Sequence, residues 1–183
     1  RYAGEFGTVS RELTLKGEAY FAVKKLKNNT ENLPFIVHTG SQKLEVLGTE
    51  FNINSYRKEI KTTLIEGNVA LSFANGEQRK LKPNQQAIYQ EDKETVHVQV
   101  VDPYYSIAWK EGSLAYDNAT LEELMESIAR WYDVSVVYDK DPSKKRFSGA
   151  ISRYEDIDKL LKTIEMTNTV TFERKGRRVM VRI

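Results

Sequence analysis

The hydrophobic period changes once along this chain, and that change limits the possible folds more than any other feature. From residue 1 to about 102, apolar and polar residues alternate in short runs, the period of half-buried strands. Val69, Leu71 and Phe73 alternate with Ala70, Ser72 and Ala74, and Val96, Val98 and Val100 alternate with His97 and Gln99. Further strands are expected over 12–15, 19–24, 35–38, 43–46, 50–56, 62–66 and 86–89. Thr39-Gly40, Gly67-Asn68 and Pro83-Asn84 mark turns between them, and Asn75-Gly76 predicts a two-residue hairpin. Such a series of short strands without a helix predicts an all-β domain, an antiparallel sandwich or a β-roll.

One detail in this half concerns parity. Leu44 and Val46 point inward on even numbers, whereas Phe51 and Ile53 do so on odd numbers. The parity flips across Leu47-Gly48-Thr49, which calls for a bulge or a sharp bend at Gly48. A corner where the chain changes sheets explains this most simply; a close backbone approach at Gly48 is the alternative.

From Asp117 the period becomes helical. Leu121, Leu124, Met125 and Ile128 share a face, with Thr120 and Glu123 spaced as a capping box. Trp131-Tyr132-Asp133 should end that helix, and Val134, Val136 and Tyr138 alternate as a strand. A second helix carries Ile157, Leu160, Leu161 and Ile164, with Ser152 and Glu155 as its expected caps. Val170-Thr171-Phe172 and 179–183 flank a hairpin turn at Lys175-Gly176. An offset of 36 places Leu114 on Ala150, Leu121 on Ile157, Leu124 on Leu160, Ile128 on Ile164 and Val134 on Val170. Helix and strand positions stay in step, which predicts a small α+β domain of two β-α-β units plus a final strand. The expected organisation is therefore an all-β domain over 1–102, a connector over 103–112 and the α+β domain over 113–183. Trp109 is expected to anchor the two domains, and the two apolar helix faces are expected to pack together.

Composition removes most catalytic classes. The chain has no cysteine, so disulfides, thiolate metal sites and cysteine nucleophiles are excluded. His38 and His97 are the only histidines, which leaves little for imidazole catalysis or a multi-histidine metal site. No phosphate-binding glycine loop, nucleophile elbow or calcium loop occurs. Glu122, Glu126 and Arg130 lie one helical turn apart and read as a solvated face with an ion pair. No enzyme, metal or cofactor is expected. No apolar run approaches the roughly 18 residues that a membrane helix needs. The chain opens at Arg1-Tyr2, which suggests a piece of a longer protein whose membrane anchor lies upstream.

Aromatic pairs at Tyr104-Tyr105 and Trp131-Tyr132 are read as core residues, with stacking platforms for sugars as the alternative. Charge is uneven. Residues 140–183 hold 12 Lys and Arg against 6 Asp and Glu, a balance of +6 in a chain of +2. Lys144-Lys145-Arg146 and Arg174-Lys175-Gly176-Arg177-Arg178 concentrate it. These clusters fit either an acidic partner or the protection of strand edges. A net charge of +2 gives no case for nucleic acid.

Ordered motifs then identify a family resemblance. Gly17-Glu18-Ala19-Tyr20-Phe21-Ala22-Val23 is followed by Pro34-Phe35-Ile36-Val37-His38-Thr39. Val46-Leu47-Gly48-Thr49-Glu50-Phe51-Asn52-Ile53, Thr62-Thr63-Leu64-Ile65-Glu66-Gly67-Asn68-Val69 and Leu81-Lys82-Pro83-Asn84-Gln85-Gln86-Ala87 complete the series. Together they resemble the periplasmic region of FecR-type anti-sigma regulators in the form common in Bacteroidetes. The second half is similar to the secretin/TonB short N-terminal domain. Asn84 stands where the family usually has glycine, and asparagine tolerates the same turn. The resemblance implies a periplasmic part, anchored to the inner membrane in the full-length protein. It would sense a substrate-loaded TonB-dependent outer-membrane transporter through that transporter's signalling domain. A sigma factor would be bound only through an absent cytoplasmic segment, and the membrane only through an absent upstream helix. A carbohydrate-binding or carbohydrate-cleaving β-roll is the alternative.

The expected docking surface is the hairpin at 169–183, chiefly its final strand. That strand ends the chain, so it is expected to lie at an edge and to accept a partner strand. Arg177, Arg178, Val179, Val181 and Arg182 are its candidate residues, the arginines steering an acidic partner.

Overall fold

The computed structural model describes residues 11–28, 31–167 and 169–183. Residues 1–10 of the expected first domain lie outside them. The chain divides into two compact units, 1–107 and 108–183.

Among its described residues the first unit contains twelve strands: β1 (Arg11–Thr14), β2 (Glu18–Val23), β3 (Lys27–Asn28), β4 (Glu31–Asn32), β5 (Phe35–Thr39), β6 (Gln42–Val46), β7 (Thr49–Asn54), β8 (Glu59–Glu66), β9 (Val69–Phe73), β10 (Gln78–Leu81), β11 (Gln85–Gln90) and β12 (Thr95–Val100). Two five-stranded sheets, ordered β1-β5-β6-β9-β10 and β12-β11-β8-β7-β2, make up the body, and β3 and β4 form a small ribbon. The alternating residues of both sheets meet in one core, where Val37, Leu44, Phe51, Ile53, Leu64 and Ala87 are wholly buried. The expectation of purely antiparallel pairing fails at one place, because β1 runs parallel to β5. The Asn75-Gly76 hairpin is also longer than two residues, since Gly76 N donates to Phe73 O and Phe73 N to Glu77 O. The strand β10 carries polar residues through Gln78-Arg79-Lys80, so alternation did not reveal it.

The parity flip has a clear cause. β6 belongs to one sheet and β7 to the other, so the chain turns a corner across Leu47-Gly48. A Cβ at Gly48 would also collide with the Lys25 side chain and lie 3.1 Å from Lys25 N. Both the corner and the close approach are therefore present. Asn84 adopts φ 66°, the left-handed turn geometry that asparagine tolerates. Arg11 is a charged group that periodicity could not place. It is 5% exposed, donates to Lys24 O at 2.8 Å and to Leu33 O, and lies over the Phe35 ring.

The segment read as connector is structured. Helix α1 (Tyr104–Ile107) closes the first unit, and Ser106 Oγ lies 3.0 Å from Thr63 Oγ1 on β8. A 3-10 turn, Ala108–Glu111, opens the second unit, where Arg153 N donates to Gly112 O.

The second unit continues with β13 (Ser113–Thr120), α2 (Leu121–Tyr132), β14 (Ser135–Tyr138), β15 (Arg146–Ser152), α3 (Ile157–Glu165), β16 (Thr171–Lys175) and β17 (Arg178–Arg182). These are two β-α-β units and a final strand. β13 pairs antiparallel with β15, while the other sheet is ordered β14-β17-β16. Leu121, Leu124, Met125 and Ile128 of α2 share a buried core with Ile157, Leu160, Leu161 and Ile164 of α3 and with Val179 and Val181. The capping box forms as its spacing dictates: Glu123 N donates to Thr120 Oγ1 and Thr120 N to Glu123 Oε2. Two local expectations are corrected. The strand preceding α2 runs on to Thr120, with its register shifting between Tyr116 and Ala119 where Asn118 takes φ 51°. The cap of α3 is Asp156, whose carboxylate accepts from Asp158 N, because Ser152 still belongs to β15.

Candidate functional site

The final strand is not an edge. β17 lies between β14, to which it runs parallel, and β16, with which it forms the antiparallel hairpin. Both of its main-chain sides are occupied, so it cannot accept a partner strand. The chain order concealed this, because β14 comes from the first β-α-β unit and reaches β17 across 40 residues of sequence. Val179 and Val181 are fully buried against the helices. The expected alternation holds, and it sends Arg178, Met180 and Arg182 to the other face.

The cations of this hairpin are held by carboxylates of the same unit. Arg174 Nε and Nη2 each lie 2.6 Å from an oxygen of Asp158, a bidentate pair from β16 to α3. The hydrogen bond from Arg174 holds the Asp158 carboxyl below its ordinary value, and the same contact raises Arg174. Arg177 pairs with Asp133 at the end of α2, and its Nε donates to Asp133 O at 2.9 Å. Glu173 accepts from Lys175 at 2.9 Å and from Arg182 at 2.8 Å, and these contacts depress its carboxyl. Arg178 has no carboxylate partner among the described residues.

The other basic cluster differs. Lys144, Lys145 and Arg146 lead into β15, and none forms an ion pair among the described residues. Arg146 Nη1 donates only to Asn118 O, at 3.3 Å. Asp141 nearby is depressed mainly by backbone and side-chain hydrogen bonds from Ser143, with Lys144 a smaller influence.

A third feature combines aromatic and cationic groups. The Arg153 guanidinium stacks 3.9 Å from the Trp131 ring centroid, and Trp131 Nε1 donates to Arg153 O at 2.7 Å. Tyr132 Oη donates to Glu155 O at 2.8 Å; burial first, then Asp156 and Glu155, pushes its phenol up. Tyr154 is 74% exposed and meets Trp131 edge-on. The expectation that Trp131, Tyr104 and Tyr105 are core residues fails, since they are 43%, 43% and 39% exposed. They are nevertheless poor sugar platforms. Arg153 covers one Trp131 face, and Tyr104 and Tyr105 stand edge-on at 71°. Arg130 and Glu126 form the expected helical pair at 3.9 Å. Arg153 and Tyr154 were missed because they follow β15 with no apolar period of their own.

Comparisons with known proteins agree with these two units. The family model described as FecR protein matches residues 2–70, and that described as FecR, C-terminal matches 113–181. A crystal structure of a candidate anti-sigma factor from Parabacteroides distasonis ATCC 8503 superposes with TM-score 0.86 at 23% identity, covering 99% of this chain and 84% of that one. A second crystal structure under the same description gives TM-score 0.85 at 22% identity, with the same coverage. At that identity the likeness establishes the fold. Among curated proteins, none matches the chain.

Proposed function

Because this chain belongs to the FecR family, we propose that it is the periplasmic, signal-receiving part of a transmembrane anti-sigma regulator. On this reading, the signalling domain of a TonB-dependent outer-membrane transporter contacts the C-terminal unit. The contact is relayed to a cytoplasmic segment that holds a sigma factor, and the sigma factor is freed. The observation that carries the proposal is the match of both family models, in order, one to each half of the chain. The surface chemistry supports it. The exposed side chains of the C-terminal unit include Trp131, Tyr154, Arg177, Arg178 and Arg182, and aromatic residues and arginine are enriched where proteins meet. Of the hairpin arginines, Arg178 is proposed to contribute to steering an acidic domain; Arg177 and Arg182 are held by Asp133 and Glu173, while Val179 and Val181 hold the sheet on its core. No helix among the described residues is long and apolar enough to cross a membrane.

The test is a pull-down of this chain against purified periplasmic signalling domains of TonB-dependent transporters, with a glycan array in parallel. Retention of one transporter domain with micromolar or tighter affinity is expected. Glycan retention without affinity for any transporter domain would overturn the proposal in favour of a carbohydrate-binding protein.

A further inference from the structure

If the C-terminal unit is contacted by a partner protein, as proposed above, its main-chain acceptor must lie somewhere other than β17. The geometry points to the outer edge of β15, which we propose accepts an extended, acidic, alternating strand of the partner. The pairing pattern identifies that edge. Arg153 N donates to Gly112 O, and in the same ladder Leu114 faces Ile151 and Tyr116 faces Gly149. Main-chain groups of an antiparallel strand alternate in direction, so those of Gly149 and Ile151 face β13. Those of Ser148 and Ala150 then face away, and they have no main-chain partner among the described residues.

Charges flank this edge, but its central residues carry none of the usual blunting devices. Natural edges carry inward charges, prolines or a cover. Ser148, Gly149 and Ala150 are consecutive, small, uncharged and exposed. The opposite edge of the other sheet shows the contrast, because Glu165 Oε1 takes the outward Phe172 N–H of β16 at 2.6 Å. The core-facing side of β15 also has a gap. Phe147 and Ile151 pack on the core only partly buried, and between them a Cβ at Gly149 would meet no atom within 4 Å. An apolar side chain of an added strand would fill that notch beside Phe147 and Ile151.

Charge specifies the occupant. Lys144, Lys145, Arg146 and Arg153 flank the edge, and residues 142–154 contain no carboxylate. A second copy of this strand would bring the same charge against itself, so the fitting occupant is acidic. Opposite charge raises the rate of encounter at low salt, while main-chain hydrogen bonds supply the hold.

The test uses the isotopically labelled chain and two probes. The first probe is an alternating glutamate–valine heptapeptide, with a lysine–valine heptapeptide as control. The amides of Ser148 and Ala150 should exchange about tenfold more slowly in the presence of the acidic peptide, with the control at least about tenfold weaker. Ala150→Pro removes one outward N–H without breaking a bond to β13 and should abolish the protection. Ala150→Glu, which keeps the backbone and sets a carboxylate on the edge itself, should weaken acidic-peptide binding about tenfold even if the proline variant does not fold. Protection elsewhere on the unit, or unchanged binding by the glutamate variant, would overturn the proposal; formation of a dimer through β15 would assign the edge to a second copy instead. The second probe is the transporter domain retained in the pull-down. If it binds wild type and Ala150→Glu alike, the edge assignment fails and the sensing reading stands. If no transporter domain binds but the peptide protects Ser148 and Ala150, the sensing reading fails and the edge assignment stands.

Discussion

The two basic clusters of the C-terminal unit look alike as sequence and differ as electrostatic objects. At the β16–β17 hairpin, Arg174, Lys175, Arg177 and Arg182 each sit on Asp158, Glu173 or Asp133. At the start of β15, Lys144, Lys145 and Arg146 sit on none. A cation already paired with a carboxylate contributes little field at a distance, because the pair is a dipole and salt screens it within about 10 Å. The hairpin cluster thus acts mainly within the unit, tying β16 to α3 and the β16–β17 turn to the end of α2. The cluster beside β15 keeps its charge available to an acidic partner. Counting charges along a chain does not measure a field; the pairing of those charges does.

The largest effect should come from the core beneath both clusters. Leu124 and Leu160 are 2% and 1% exposed, and Leu124→Ala or Leu160→Ala should each cost about 2–5 kcal/mol in denaturant unfolding. Losses below about 1 kcal/mol for both would show that the helices are not a shared support for the two surfaces. Next comes charge reversal beside β15. Lys144→Glu with Lys145→Glu should weaken binding of the acidic heptapeptide about tenfold at low salt and flatten its salt dependence, read by titration at two ionic strengths.

A smaller change is expected at the cap of α2. Thr120→Ala removes the acceptor for Glu123 N and should cost about 1 kcal/mol in thermal or denaturant unfolding. Arg177→Gln with Asp133→Asn, which removes a cation and its paired carboxylate together, should change acidic-peptide binding by no more than about twofold. An equal loss from both double changes would erase the distinction between the clusters.

The smallest effect is a titration. Asp158 is depressed by its hydrogen bonds from Arg174, so its contribution is complete above the unfolded value near 3.9 and is lost as pH falls through the lower folded value. Arg174→Ala should raise the Asp158 carboxyl in an NMR titration. Lys144→Ala should leave Asp141 nearly in place, since Ser143 holds it down first.

Much of this was legible in residue order. Period-two alternation found β5, β7, β9, β11 and β12, and the parity flip at Gly48 found the corner between sheets. The offset of 36 aligned two β-α-β units before any contact was known. It also placed Ala150 on Leu114, the one hint that Phe147–Ile151 is a strand, since Ser148-Gly149-Ala150 lack a clear apolar period. What failed concerned neighbours distant in sequence. The polar strand β10 is held by its pairing with β9, not by a pattern of its own. Trp131 reads as a core residue because it follows an apolar helix face, yet Arg153 meets it from beyond β15.

Periodicity, capping residues and turn residues are local, so the sequence by itself determined most of the strands, both long helices and most of the inward-facing side chains. Strand order is not local. Any of several strands could have flanked Val179–Arg182, and only packing of both β-α-β units around one core placed β14 there. That placement buried the last strand within its sheet and left β15 exposed at the edge of another. The same packing decided which arginines met carboxylates, because Arg177 meets Asp133, and Arg174 meets Asp158, only where α2 and α3 dock on their sheets.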